Sequence, residues 1–172
     1  MTDALIKRKR KSLYAAAAER CVTMQKIISW ILSIAVIFSV LPAVVASAET
    51  SGYFTYTVSN GTATITGCDT SVSGDLTVPL SIYGYRVTGI ESYAFRSCKL
   101  LTSIMIPSGI TEIGNYAFQY CESLTSITIS DSVMYICYNA FQSCNQLTTI
   151  NVDSSNINYS STDRVLFNKN KT

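Results

Sequence analysis

The stretch Ile113-Gly114-Asn115-Tyr116-Ala117-Phe118-Gln119-Tyr120-Cys121-Glu122-Ser123-Leu124-Thr125-Ser126-Ile127-Thr128-Ile129 decides how this chain folds. The same order of residue types recurs 23 residues upstream, as Ile90, Ala94, Phe95, Cys98, Leu101, Ile104 and Ile106. It recurs 23 residues downstream, as Ile136, Ala140, Phe141, Cys144, Leu147, Ile150 and Val152. A gapless period of this length means stacked units, none of which can bury its apolar face alone. The predicted architecture is therefore a solenoid, mainly β, whose identical side chains pile into columns.

Each repeat position has a physical reading. Ser103-Ile104-Met105-Ile106, Ser126-Ile127-Thr128-Ile129 and Thr149-Ile150-Asn151-Val152 alternate apolar with polar and are rich in β-branched residues, which predicts a short strand with one face inward. Pro107 ends the first of these ladders and Gly109 permits the turn, while Ser130-Asp131 and Asp153-Ser154-Ser155 serve later. The Ala-Phe-x-x-Cys stretch is too short for a free-standing helix and reads as one tight helical turn that drives Phe inward. The expected core columns are Phe95, Phe118 and Phe141; Cys98, Cys121 and Cys144; Leu101, Leu124 and Leu147; and Ile104, Ile127 and Ile150. Each buried ring contributes about 1.5–3 kcal/mol.

Upstream, residues 53–66 form two alternating runs around Asn60-Gly61, a pair that supplies the positive φ a tight primed turn needs. The hairpin so predicted would cap the open end of the array. Leu76-Thr77-Val78-Pro79 matches Ile104-Met105-Ile106-Pro107, but Pro79 to Phe95 is 16 residues where Pro107 to Phe118 is 11. The first rung thus carries a five-residue insertion around Tyr83-Gly84-Tyr85. These readings divide the chain into a leader at residues 1–48, a cap and partial rung at 49–89, three repeats at 90–156 and a partial closing segment at 157–172. Beyond Val152 the phase is lost, since position 164 should be Phe and is Arg, and Val165 to Phe167 reads as a closing strand. An uncapped last rung would favour self-association through that end, and the abrupt stop is what a piece of a longer surface protein would show.

Residues 1–48 hold seven Lys or Arg against two acids, a net +5, whereas residues 49–172 hold six against nine, a net −3. The basic character belongs to the leader, and the remainder has no nucleic-acid footprint. Residues 27–40 (IISWILSIAVIFSV) are almost wholly apolar, follow Lys26 and precede Ala46-Ser47-Ala48, the order read by an export channel and its peptidase. Cleavage is expected after Ala48, and Met24 would start a leader of ordinary length. The rival reading is an uncleaved anchor, because residues 27–48 number 22, enough to cross a bilayer. Both place residues 49–172 outside the cytoplasm.

The pattern Ile-Gly-x-x-Ala-Phe-x-x-Cys-x-x-Leu-x-x-Ile-x-Ile, best shown by residues 113–129, resembles the BspA-like, treponemal-type class of bacterial leucine-rich repeats. Residues 54–66 and 76–79 resemble the segment that commonly precedes such repeats, and Val165-Leu166-Phe167-Asn168-Lys169 one that often follows them. The resemblance covers most of residues 53–169. It implies a leucine-rich-repeat solenoid on secreted or surface-attached proteins, associated with adhesion and with binding of host or matrix proteins, and it carries over no catalytic residues. Glu91 and Cys137 depart from the pattern where Gly is usual, Ser130 and Asp153 where Pro is, and Arg164 where Gly precedes the closing strand.

Catalytic chemistry finds little footing. The chain has no His, so a Ser or Cys nucleophile lacks its usual base, and there is neither Cys-x-x-Cys nor a zinc-ligand spacing. Neither cofactor nor metal is expected. Asp69, Asp75, Asp153 and Asp163 sit in turn-like sequence where Asp bonds its own backbone. The phased cysteines read as buried thiols, although rungs about 4.8 Å apart lie just inside the Cα range of a disulfide. Pairing two of the three would leave one over. Cys68 and Cys137 bring the count beyond residue 48 to five.

The candidate binding face is the outward side of the strand ladder, Thr77, Ser103, Met105, Ser126, Thr128, Thr149 and Asn151. At about 200 Å² it is small beside the roughly 800 Å² per partner of a stable interface. Tyr83 and Tyr85 either extend that face or pack the cap. The function expected is binding of a protein or glycan at a cell surface or in host matrix; the alternative is a structural spacer with no binding activity of its own. No nucleic-acid partner is expected, and a membrane only through an uncleaved leader.

Overall fold

The computed structural model describes residues 48–162 and 165–169; the leader, apart from Ala48, lies outside them. The strands are β1 (Glu49–Ser51), β2 (Phe54–Ser59), β3 (Thr62–Cys68), β4 (Ser73–Thr77), β5 (Ser81–Ile82), β6 (Tyr85–Ile90) and β7 (Leu100–Ile106). There follow β8 (Glu112–Ile113), β9 (Ser126–Ile129), β10 (Tyr135–Ile136), β11 (Thr149–Val152), β12 (Tyr159–Thr162) and β13 (Val165–Asn168). The alternating runs of the repeat form one parallel sheet in the order β11-β9-β7-β4. Its register follows the period: Ile104 pairs with Ile127 and Ile127 with Ile150, while Leu76 of the partial rung pairs with Ile104. Their side chains point inward, and Ile104 and Ile127 are fully buried.

A second sheet lines another side of the coil. The antiparallel β1-β2-β3 meander leads into β6, β8 and β10, which run parallel to β3 and to one another. Asn60 and Gly61, at φ 51° and 76°, make the tight turn between β2 and β3, and Ser59 faces Thr62 across it. The meander covers the first rung: Phe54 sets its ring edge-on against Phe95 at 6.3 Å, and Tyr56 and Ile65 are buried. The insertion is a smaller hairpin, β5 to β6, turning at Tyr83 (φ 48°) and Gly84 (φ 87°).

The Ala-Phe-x-x-Cys stretch corrects an expectation. It is not a helical turn, and the described residues contain no helix. It is an arc of successive four-residue turns, with Ala94 N donating to Glu91 O at 3.3 Å, Arg96 N to Tyr93 O at 2.9 Å and Cys98 N to Phe95 O at 3.2 Å. Tyr93 and Ser97 take φ of 65° and 62°, as do their counterparts Tyr116, Tyr120, Asn139 and Ser143 between 50° and 62°. Left-handed backbone costs such residues about 1–2 kcal/mol each. A reward comes from the next rung. Tyr93 N, Phe95 N and Ser97 N donate to Asn115 O, Ala117 O and Gln119 O at 2.7–3.0 Å. Tyr116 N, Phe118 N and Tyr120 N likewise donate to Tyr138 O, Ala140 O and Gln142 O. Each bond is worth about 0.5–1.5 kcal/mol net, enough together with the packed ring to hold a shape that no isolated helix nucleus would replace. These three main-chain bonds of each arc point the same way along the coil, from one rung to the next.

The arc drives Phe inward. Phe95 and Phe118 stack at 4.9 Å and Phe118 and Phe141 at 5.5 Å, near-parallel in both pairs. Gly114 shows how tightly rungs approach, since a Cβ there would lie 2.5 Å from Ser92 N and 2.6 Å from Glu91 C. Past the third repeat, Asn156 is fully buried. Its Nδ2 donates to Ser130 O (2.8 Å) and Val133 O (3.0 Å), while its Oδ1 accepts from the amides of Asn158 and Tyr159. It thereby fastens the closing β12-β13 pair, and the Tyr159 hydroxyl accepts Ile136 N at 2.9 Å.

Candidate binding surfaces

The outward residues of the first parallel sheet form two rows in register. One runs Thr77, Met105, Thr128, Asn151 and the other Asp75, Ser103, Ser126, Thr149. Thr77, Met105, Thr149 and Asn151 are exposed; Ser103, Ser126 and Thr128 are half-buried beside their neighbours. Asp75 belongs to the set although it was not expected there, and the alternation Asp75-Leu76-Thr77 was the signal for it. Its carboxylate accepts the Thr102 hydroxyl at 3.2 Å. The face stays polar, nearly uncharged and small.

Tyr83 and Tyr85 belong to the other sheet. Tyr83 stands at the tip of the β5-β6 hairpin, 77% exposed, its ring 6.4 Å from that of Tyr56. Tyr56 donates its hydroxyl to Glu49 Oε2 at 2.7 Å, and burial, then that acidic partner, pushes its pKa up to about 12.

The arc offers a second surface that sequence reasoning missed. Tyr93 and Tyr116 occupy one repeat position and stack at 5.3 Å, within 5° of parallel. In the third repeat the pair Asn115-Tyr116 becomes Tyr138-Asn139, so Tyr138 stands one position early and meets Tyr116 edge-on at 5.6 Å. Arg96 lies between two rings, 5.6 Å from that of Tyr93 and 5.8 Å from that of Tyr120. Tyr93, Tyr120 and Tyr138 are each about 40–50% exposed. The signal in the sequence is the tyrosine at equivalent positions 93 and 116.

Inside the arc the thiols line up. Cys121 Sγ donates to Phe95 O at 3.1 Å and Cys144 Sγ to Phe118 O at 3.0 Å, each reaching back one rung. Cys98 and Cys68 both reach the carbonyl of Asp69, at 4.0 and 3.7 Å, so Cys68 of the cap heads the column. The hydrogen bond with Cys98, then burial, pushes the Cys68 thiol up, and the same contact pulls Cys98 down. Cys121 and Cys144 repeat the arrangement, Cys121 up and Cys144 down. No disulfide joins these four. Elsewhere, Glu112 is held above the usual carboxylate range by burial and then by the charge of Glu91. Among the described residues no group of three or more His, Cys, Asp or Glu converges on a metal position, and no helix is long and apolar enough to cross a membrane.

Parallel strands on two sides of a coil that closes once per repeat, with leucine, isoleucine and phenylalanine ladders inside, define a leucine-rich-repeat solenoid. The chain belongs, more particularly, to the BspA type leucine rich repeat region family, whose sequence profile matches residues 81–170 in six copies. A crystal structure of a T. pallidum leucine rich repeat protein is similar at 26% identity and TM-score 0.55, over 60% of this chain and 49% of that one. This chain therefore spans about half the length of that protein. A leucine-rich repeat protein from Bacteroides capillosus is 28% identical over 63% of this chain and 99% of its own, at TM-score 0.49. A leucine rich cell surface protein from Faecalibacterium prausnitzii is 19% identical over 71% and 58%, at TM-score 0.28. No curated protein matches the sequence.

Proposed function

We propose that this protein is exported and acts outside the cytoplasm, without catalysis, as a binding or adhesion module for a protein or glycan at a cell surface or in host matrix. The leader supports the export. The observation that carries the binding role is the Tyr93-Tyr116-Tyr120-Tyr138 arc with Arg96 held between its rings. Tyr and Arg are the residues enriched at protein contacts. Rings already fixed by stacking lose little freedom on engagement. The arc adds aromatic area that the strand face lacks.

The test is binding of the exported protein to immobilised matrix proteins and cell-wall glycans, alongside a Tyr116→Ala, Tyr120→Ala, Arg96→Ala triple variant. The expected result is saturable binding that the triple variant weakens at least about tenfold, the loss of roughly 1.4 kcal/mol. Absence of binding across the panel, or equal binding by a folded triple variant, counts against the reading. A second copy of the chain is a further proposed partner, because Phe141, Leu147, Ile150 and Val152 of the third repeat are only partly buried. Sedimentation at rising concentration tests it: association beyond the monomer is expected, and a monomer throughout would remove it.

A further inference from the structure

We propose that the thiol column is a modification site for low-molecular-weight disulfides such as oxidised glutathione, which close two cross-rung bonds, Cys68 to Cys98 and Cys121 to Cys144. Three phased cysteines would leave one without a partner; the structure supplies the fourth. Cys68 lies 30 residues before Cys98 and out of phase with the repeat, yet both sulfurs converge on the carbonyl of Asp69. Cys121 and Cys144 bond equivalent carbonyls on successive rungs, Phe95 O and Phe118 O, which sets their sulfurs in line. Beside the second pair the rungs are about 5.5 Å apart, the spacing of the Phe118 and Phe141 rings. That falls within the roughly 4.4–6.8 Å Cα separation that a disulfide spans.

Each pair also has a way in. Cys68 is partly exposed and Cys144 is 9% exposed, whereas Cys98 and Cys121 are fully buried. The outer sulfur gives up its proton to solvent and attacks the small disulfide, forming a mixed disulfide and releasing one small thiol. The buried partner then attacks the outer sulfur and displaces the second small thiol. Each pair gives up two electrons and two protons, and the small disulfide becomes two thiols. One bond ties the cap to the first repeat and the other ties the second repeat to the third, so oxidation staples two of the three junctions of the array without altering its outer surfaces.

The test incubates the reduced full chain with oxidised glutathione and maps disulfides by peptide mass spectrometry without reduction. The expected result is the pair of bonds 68–98 and 121–144 and a rise in melting temperature of about 10 °C over the reduced protein. In Cys68→Ser only the 121–144 bond should form, and in Cys144→Ser only the 68–98 bond; each should keep part of the rise. Reduced thiols at all four positions after prolonged incubation would overturn the proposal, as would a 98–121 bond. Because the single variants each leave one pair intact, a variant that misfolds leaves the other to decide.

Discussion

The two ends of the coil solve the same problem with different materials. At the N-terminal side a three-strand meander joins the second parallel sheet by its own β3 and sets Phe54, Tyr56 and Ile65 over the first rung, which leaves Phe95, Leu101 and Ile104 fully buried. At the other side β12 and β13 form a two-stranded sheet of their own among the described residues, tied to the array by the polar grip of Asn156 and the Tyr159 hydroxyl and by the packing of Tyr159 and Leu166. Phe141, Leu147, Ile150 and Val152 occupy the same repeat positions as buried residues, yet remain partly exposed. Identical side chains therefore differ in worth according to whether a neighbour lies on both sides. In a repeat array burial is a property of the junction rather than of the unit.

Replacing rings in the two environments tests that contrast most strongly. Phe118→Ala should cost about 3–5 kcal/mol, while Phe141→Ala should cost about half as much, because its cavity is open on one side; urea denaturation measures both. Equal losses would break the comparison. Asn156→Ala comes next, leaving the Ser130 and Val133 carbonyls without their donor at a cost of about 1–3 kcal/mol. Faster hydrogen exchange at the amides of Asn158 and Tyr159, with the cap unchanged, would sharpen it. Alkaline titration then isolates the cap. Tyr56 has its folded pKa raised to about 12, above the unfolded value near 10, so its contribution is complete below about pH 10 and is lost as pH rises through the folded value. Tyr56→Phe should remove that part of the pH dependence, and an unchanged profile would deny the group its role. Least of all, Lys99→Ala should cost no more than about 0.5 kcal/mol, since the Lys99–Glu122 pair at 3.0 Å is exposed on both sides; added salt should erase even that difference.

The first parallel sheet was legible because its strands are long enough to alternate: Ser126–Ile129 and Thr149–Val152 appear with the bounds their pattern suggests. The second sheet was not, since Glu112–Ile113 and Tyr135–Ile136 are two residues each and two residues carry no period. The arc was misread as helical because its left-handed positions hold Tyr, Ser and Asn rather than Gly, and composition gives no warning of a conformation that only the adjoining rung stabilises. The membership of Cys68 in the thiol column was hidden by its spacing. Asn156 carried no signal, as a buried amide with all its bonds satisfied looks in sequence like one more loop residue. On the candidate surfaces, the strand rows followed from alternation, whereas the ring stacking depended on an orientation that the order of residues does not specify.

The one-way hydrogen bonding of the arc gives the molecule a polarity along its length. Within the described residues, the amides of Asn139, Phe141 and Ser143 stand where the preceding rungs hand their protons on, with no carbonyl row to receive them. Two copies meeting tail to tail would set donor against donor along that side. A rung that continued this side of the coil would bring acceptors instead, so the row of donors accepts a neighbour in one orientation only.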